Sequence, residues 1–154
     1  MVNNGDTAQS SAVSAIQQLF LGEYRPNMVS GSRMALPKQI REALCSDKLV
    51  LSRGFERCIF GFSQDFWRAE SKKALAGPIS DKQARLLRRY MFSGAFEVSF
   101  DKQGRVVVPK NLLDYAGIKV GEEVLLIGAG DHFEIWNKKA WKKNLKNIER
   151  DLDL

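Results

Sequence analysis

The chain has 154 residues, 44% of them hydrophobic and 27% charged, and its formal net charge is +6. This length allows one or two small cores, and because no apolar run approaches the ~20 residues that cross a bilayer, we predict no membrane insertion. The positive charge favours an anionic partner, such as a nucleic acid, without identifying it.

Residues 1–18 differ in composition from the rest of the chain, since they are rich in Ser, Ala, Asn and Gln and contain no Lys or Arg. A secretory signal needs a basic start and a stronger apolar centre, so we reject that interpretation. So polar a segment buries little apolar surface, and we predict that it is disordered.

The first structured unit is predicted to be a hairpin, a short helix, two further strands and a closing helix. Pro26 confines the first strand to a sheet edge or a bulge, because proline lacks an N–H. Pro37 suits the start of the short helix, where an N–H would be unpaired, and Ser63 can cap the closing helix. The predicted strands are 24–28, 33–36, 49–52 and 58–62, and the predicted helices are 37–44 and 64–76.

A linking helix is predicted in the segment 79–94. Ser80 and Gln83 form a capping-box pattern, and apolar residues then recur at helical spacing. The helix also carries three arginines. They could form a solvated basic face or a face that contacts phosphates, and the sequence leaves both interpretations open. These are Arg85, Arg88 and Arg89.

A second unit of the same kind begins at Ala95. Apolar and polar residues alternate over 96–100, which is typical of a half-buried strand, and a polar turn follows. In this turn Asp101 can accept backbone N–H groups, and Gly104 can take a positive φ, so that Arg105 leaves the tip in a defined direction. An ion pair between Asp101 and Arg105 would by itself say nothing about function. The other predicted elements are strands 105–108, 124–127 and 133–136 and helix 110–116, which Pro109 starts and Gly117 ends.

The last helix, capped by Asn137, is predicted to be amphipathic. Its apolar stripe is most simply core, and consists of Trp141, Leu145, Ile148 and Leu152. The opposite face carries Lys138, Lys139, Lys142, Lys143 and Lys146. Such a lysine run is usually solubilising, and nucleic-acid contact is the alternative.

The hairpin and short helix occur twice in the chain. Arg33 and Pro37 lie 72 positions before Arg105 and Pro109, and the surrounding apolar residues match at the same spacing. This is an internal repeat. A lone unit below about 70–80 residues seldom has a sufficient core, so we expect the halves, or different chains, to pair.

Catalysis is the function class with the least support. His132 is the only histidine, so a Ser/His/Asp arrangement could use no other base. We find no zinc-ligand spacing and no phosphate-binding loop. We predict that the chain is not an enzyme and has no metal, no cofactor and no small-molecule substrate.

The segment DKQGRVVVP, its repetition as SGSRMALP, and the residues Phe20, Gly22, Glu23 and Tyr24 resemble the MraZ proteins, which are bacterial regulators with two SpoVT/AbrB-type half-domains. The resemblance runs from about Leu19 to Ile148. It implies an α+β fold of two tandem SpoVT/AbrB-like swapped-hairpin β half-barrels with short helices, related by internal pseudo-symmetry.

The resemblance also divides the chain. It implies a first domain at 19–78, the linking helix at 79–94, and a second domain with the C-terminal helix at 95–150. Because MraZ-like chains commonly begin one residue before the Phe-x-Gly pattern, Leu19 stands where their initiator Met would be. We therefore hypothesise that 1–18 is a non-native extension and that the biological start is an alternative codon at Leu19.

The function that the resemblance implies is sequence-specific DNA binding. MraZ proteins act, usually as repressors, on G-rich direct repeats in the promoter of the division and cell-wall gene cluster, and they assemble into rings. A cytoplasmic, nucleoid-associated homo-oligomer bound to double-stranded DNA is therefore expected. The alternative is an assembly or protein-partner module, in which the hairpins contact other subunits without reading bases.

The family's Asp-x-x-x-Arg motif falls intact on the second hairpin and is reduced in the first. In the first hairpin, Val29 stands where the family has Asp, Gly31 where it often has Lys, and Ser32 where it has Gly. Val29 therefore cannot orient Arg33 by an ion pair. A hairpin arginine can form two hydrogen bonds to guanine O6 and N7, while nearby cations meet phosphates. The predicted DNA-binding residues are Arg33, Arg25, Lys38, Lys102, Arg105 and Lys110, and the predicted structural positions of the motif are Asp101, Gly104, Pro37 and Pro109.

Overall fold

The computed structural model describes residues 19–154. Its elements in chain order are β1 (Glu23–Tyr24), β2 (Met28–Val29), β3 (Arg33–Ala35), α1 (Lys38–Leu44), β4 (Lys48–Arg53), β5 (Ile59–Phe62), α2 (Gln64–Ala74), α3 (Lys82–Ser93), β6 (Ala95–Ser99), β7 (Arg105–Val107), α4 (Lys110–Ala116), β8 (Val124–Gly128), β9 (Phe133–Asn137) and α5 (Lys138–Asp151). The predicted mixture of helices and antiparallel strands is confirmed. The prediction for 1–18 lies outside the described residues. No helix within 19–154 has the length and apolar character needed to cross a membrane.

The strands form two antiparallel sheets that mix the two repeats. The six-stranded sheet has the order β1-β8-β9-β5-β4-β6, and the three-stranded sheet has the order β2-β3-β7. The first strand of each repeat pairs in the other half, since Tyr24 lies opposite Leu126 and Phe96 lies opposite Leu51. These two pairs are equivalent under the sequence repeat. The expected pairing of halves therefore occurs within one chain.

The hairpins meet at the centre of this arrangement. In the β3–β7 ladder Met34 lies opposite Val106, which is its own counterpart in the other repeat. On either side of this pair, the Leu36 N–H donates to the carbonyl of Gly104 at 2.8 Å, and the Val108 N–H donates to the carbonyl of Ser32 at 2.9 Å. Each hairpin tip is thus held by the return strand of the other hairpin.

One hydrophobic cluster joins the two sheets. It contains Met34 and Val106 from the three-stranded sheet, Leu51 and Leu126 from the six-stranded sheet, and Leu112 from α4, all fully buried. The two halves therefore share a core, and burial of its side chains is the main stabilising contribution to the position of the hairpins.

The opposite face of the six-stranded sheet is covered by helices. On α5, Trp141 packs against Trp136 with 5.5 Å between the ring centroids. The apolar stripe of α5 is only partly buried, because Leu145 and Leu152 further along the helix are exposed. The stripe is thus not simply core, since Trp141 and Ile148 are half-buried and no residue of α5 is fully buried.

The structure differs from the predicted elements at three points. The predicted strand 24–28 is divided into β1 and β2, because Pro26 interrupts the ladder and the two parts pair in different sheets. The cap of α3 is Asp81, whose carboxylate accepts from the Ala84 N–H at 2.9 Å, and not Ser80. The closing helix of the first unit ends at Ala74, two residues before its predicted end. The predicted caps Ser63 and Asn137 are confirmed.

Candidate nucleic-acid interface

The β3–β7 pairing places the two hairpin arginines on the same face of the three-stranded sheet. Arg33 lies opposite Val107, and Arg105 lies opposite Ala35. Side chains directly opposite in an antiparallel ladder share a face, and so do residues two apart in a strand. The arginines are therefore diagonal neighbours on the face that points away from the buried Met34. Sequence analysis treated them as separate tips and missed this juxtaposition.

This face, which we call the arginine face, is open to solvent. Arg33, Ala35 and Val107 are exposed, and the side chain of Arg105 keeps 35% of its accessible area. Val29 on β2, opposite Arg33, is also exposed. The small apolar residues between the arginines leave room for a planar partner to approach both guanidinium groups.

The second hairpin holds its arginine in place. The N–H groups of Gln103 and Arg105 donate to Oδ1 of Asp101 at 2.9 and 3.0 Å, and Nε of Arg105 donates to Oδ2 of the same carboxylate at 3.3 Å. Gly104 has φ +75°, which few other residues adopt without strain. The Asp101 and Arg105 pair predicted from the sequence is therefore formed, and it orients the guanidinium.

The first hairpin leaves its arginine without such support. Within residues 19–154 no side-chain hydrogen bond or ion pair of Arg33 is formed, since Val29 offers no acceptor. Ser32 takes the position of Gly104 with φ +59°, a conformation that is costly for a residue with a Cβ. The two arginines thus differ: Arg105 is preorganised, and Arg33 is free to adjust.

Arg41 is a further cation at this site that sequence analysis missed. Its Nε donates to the carbonyl of Leu36 at 3.1 Å, and its guanidinium lies over the second turn, since a Cβ added to Gly104 would be 2.8 Å from Cζ of Arg41. The repeat gave no signal, because the equivalent position holds Leu113. Gly104 is therefore needed both for its φ and for this close approach.

The predicted phosphate partners occupy different surroundings. Lys38 and Lys110 are exposed at the starts of α1 and α4, directly after Pro37 and Pro109. Lys38 lies two residues after Leu36, which bonds to the tip of the second hairpin. Lys110 lies two residues after Val108, which bonds to the tip of the first hairpin. Lys102 is exposed on the second turn itself.

Arg25 is separated from this group by the break between β1 and β2. It shares a small surface hollow with Glu123 and Lys138, and its charge contributes to lowering the pKa of Glu123. The hydrogen bond from Lys138 is the larger cause of that lowered pKa. Arg25 thus lies beside an acidic side chain, and the structure does not join it to the arginine face.

The family follows from comparison with known proteins. The model of the family described as "MraZ protein, putative antitoxin-like" matches residues 19–90 and again residues 91–153. The "Transcriptional regulator MraZ" of Roseiflexus castenholzii is 36% identical over 88% of this chain and 93% of its own length. The protein of the same name from Halothermothrix orenii is 39% identical over 88% of this chain and 92% of its own length. This chain belongs to the MraZ family.

The MraZ match confirms the resemblance and the internal repeat. The relatives are named transcriptional regulators, which agrees with the prediction that the chain is not an enzyme. A solved structure, "The solution structure of PHS018 from pyrococcus horikoshii", is 17% identical, covers 75% of this chain and 95% of its own, and has a TM-score of 0.34. That likeness is too low to carry an argument.

Two arginines of the linking helix are engaged inside this MraZ chain. Arg85 donates to the carbonyls of Ile79 and Ser80, at 3.0 and 2.9 Å. Arg88 donates to the carbonyl of Leu75 at 3.0 Å. These guanidinium groups therefore hold the connection between α2 and α3, while Arg89 on the same helix is exposed.

The carboxylate of Asp101 provides a test of the second hairpin. The hydrogen bond from the Arg105 N–H, with that from Gln103 and the guanidinium charge, lowers the pKa of Asp101. A lowered folded pKa means that the bonds are formed above the unfolded value, about 3.9, and are lost as the pH falls through the folded pKa. We expect an NMR titration of the Asp101 carboxyl carbon to have its midpoint below about 3.9.

The matched control is Asp101→Asn, which keeps an acceptor oxygen and removes the charge. The amide signals of Gln103 and Arg105 should move with pH in the natural chain and stay constant in the variant over the same range. A carboxyl midpoint at or above the usual value would show that these bonds do not form in solution.

Proposed function

We propose that the chain is a sequence-specific DNA-binding transcriptional regulator that reads bases with the arginine face. The observation that supports this most strongly is that β3 and β7 place Arg33 and Arg105 on one exposed face. A β-ribbon fits into the major groove, and arginine bonded to guanine O6 and N7 is the commonest specific contact there. The names of the relatives agree with regulation of transcription.

The spacing of the arginines suggests what they read. Diagonal neighbours in an antiparallel pair are about 7–8 Å apart, and two base-pair steps of about 3.4 Å along one strand span nearly the same distance. We propose that Arg33 and Arg105 contact guanines about two steps apart. Lys38, Lys102 and Lys110, with Arg41, would then meet flanking phosphates.

The magnitudes favour several copies of the chain on one site. Each arginine contact to guanine discriminates by about 1–3 kcal/mol, so two of them supply about 2–6 kcal/mol. The free energy of binding to a specific site is typically about 4–10 kcal/mol more favourable than that of binding to random DNA. We propose that a homo-oligomer, a ring as the resemblance to the family implies, binds direct G-rich repeats and thereby supplies the difference.

The finer features are part of the same proposal. The regulated promoter would be that of the division and cell-wall gene cluster, the effect repression, and the location the cytoplasm in association with the nucleoid. The halves would be swapped-hairpin half-barrels at 19–78 and 95–150, linked by 79–94. The reciprocal bonds of Leu36 and Val108 to the opposite tips support such an interlocked pair.

A DNA-binding titration at several salt concentrations tests this function. A labelled duplex from upstream of the chain's own gene is titrated between 50 and 200 mM salt, with a shuffled duplex of the same length as control. Four phosphate contacts would give a slope of about −3.6 in log affinity against log salt, a loss of about 150-fold over this range. Equal binding of both duplexes, or no binding by a chain that still oligomerises, would favour the assembly module instead.

A further inference from the structure

A cleft of about 450 Å³ lies between the six-stranded sheet and the helices α2 and α3. The cleft is on the sheet face opposite the main core. Phe60 and Phe62 of β5 line the cleft, whereas Ile59 of the same strand, whose side chain points to the other face, is part of that core. Ligand cavities in proteins typically have volumes of about 300–1,000 Å³. This cleft therefore has the size of a site for a small organic molecule.

Aromatic rings form most of its walls. Phe62 stacks on Phe66 with 5.7 Å between the centroids and an interplanar angle of 16°, and Trp67 lies 5.5 Å from Phe62. Phe55 and Tyr90 stack at 6.2 Å on the side of α3. The aromatic ring of a ligand can pack against these side chains through stacked or edge-to-face contacts.

One end of the cleft is negatively charged. The two ring nitrogens of His132 are hydrogen-bonded to Asp131 at 2.7 Å and Glu134 at 2.8 Å. The other carboxylate oxygen of Glu134 accepts from Trp136 at 2.9 Å, whereas within residues 19–154 Oδ2 of Asp131 has no hydrogen-bond partner. Burial lowers the pKa of His132, but the bonds from the two carboxylates outweigh it and raise the pKa above its usual value. Two carboxylates thus share one imidazole.

Most of the cationic donors of the cleft are already engaged, and the one buried donor among them that has no hydrogen-bond partner within residues 19–154, Nε of Arg53, lies against Gly94. A terminal nitrogen of Arg53 donates to the Tyr90 carbonyl and to Oγ of Ser93, both at 2.7 Å, and the guanidinium stacks 4.6 Å from the centre of the Tyr90 ring. Lys73 is paired with Glu70 at 3.0 Å. The polar group best placed to receive a ligand is therefore the carboxylate of Asp131, which is 61% exposed at the mouth of the cleft and favours a cation.

We propose that this cleft binds a planar aromatic molecule that carries a positive charge. Its ring would lie against Phe62 and Trp67, and its charge beside Asp131. Electron-rich ring faces also attract cations, so the walls and the carboxylate favour the same ligand. The cleft is formed by β4, β5, the turn between β8 and β9, α2 and α3, and it does not include the arginine face, so the inference does not depend on the proposed function.

Three probes with one ring system and different charges test the proposal. Tryptamine is a cation at neutral pH, indole is neutral and indole-3-acetate is an anion. Each is titrated into the chain without DNA and followed by calorimetry and by NMR shifts of Phe62, Trp67 and His132. We expect saturable binding of tryptamine with shifts at these residues, and an affinity for indole-3-acetate at least about tenfold lower.

Two pairs of measurements locate the site. Asp131→Asn should weaken the binding of tryptamine about two- to fivefold, as expected for an exposed ion pair, and leave the affinity for indole unchanged. Leu87 and Leu86 are neighbours on α3 with the same exposure of 44%, and of the two only Leu87 lines the cleft. Leu87→Trp should fill the cleft and abolish binding, whereas Leu86→Trp should retain it.

Thermal melts first establish that each variant is folded. The proposal is overturned if tryptamine does not bind saturably, if indole-3-acetate binds as well as tryptamine, or if Leu87→Trp and Leu86→Trp bind equally. It is also overturned if the cleft signals broaden with protein concentration in the absence of any probe, because the occupant would then be a second copy of the chain.

Discussion

Replacement of either hairpin arginine by alanine is expected to weaken binding to the specific duplex by about 5- to 150-fold. The reason is that each variant loses a two-bond contact to guanine worth about 1–3 kcal/mol. Binding to the shuffled duplex should fall far less, since only one charge is removed. Competition measured by fluorescence anisotropy gives both affinities, and their ratio is the quantity to compare for Arg33→Ala and Arg105→Ala.

The matched control is Arg89→Ala, which removes an exposed guanidinium from α3 rather than from the arginine face. This substitution should weaken binding to both duplexes slightly and leave the ratio of the two affinities unchanged. Arg105→Lys keeps the charge and loses the planar pair of donors, so it should reduce the ratio almost as much as alanine. If Arg89→Ala lowers the ratio as much as Arg33→Ala does, net charge and not the arginine face determines recognition.

Met34→Ala is expected to lower the free energy of unfolding by about 2–5 kcal/mol. Met34 is fully buried at the centre of the β3–β7 ladder, directly beneath the arginine face. Its removal leaves a cavity between the two sheets, where both repeats contribute to one core. For a chain of this length the melting temperature should fall by about 4–20 °C. Urea unfolding followed by circular dichroism measures the change.

Val107→Ala is the control for this prediction, because Val107 lies on the opposite face of the same sheet and is 53% exposed. Its effect on the free energy of unfolding should stay within about 0.5 kcal/mol, as for most surface substitutions. Equal destabilisation by both variants would mean that the sheet does not have one buried and one open face. The placement of the arginines would then be wrong as well.

Local rules of the sequence were sufficient for the order of the elements and for the second turn. The alternation in 96–100, the prolines before the short helices, and the Asp and Gly of the turn each depend on neighbours within a few residues. The orientation of Arg105 by Asp101 follows from these neighbours alone. The break at Pro26 was also signalled locally, although a continuous strand was predicted across it.

The common face of the arginines depends on contacts that no local rule contains. It arises because β3 pairs with β7 across 72 positions of sequence and because β1 and β6 each join the other half. The repeat showed that the halves were alike but not how they paired. Arg41 and the aromatic cleft were missed for the same reason, since helices and turns distant in the chain form them.

NMR mapping of the contact surface with the upstream duplex shows whether the arginine face touches DNA. We predict that the largest shifts fall on β3 and β7, at Arg33, Ala35, Arg105 and Val107, and that the guanidinium signals of the two arginines are among those that change. If these residues are unaffected while the lysines of α5 shift on addition of the duplex, the arginine face does not contact DNA.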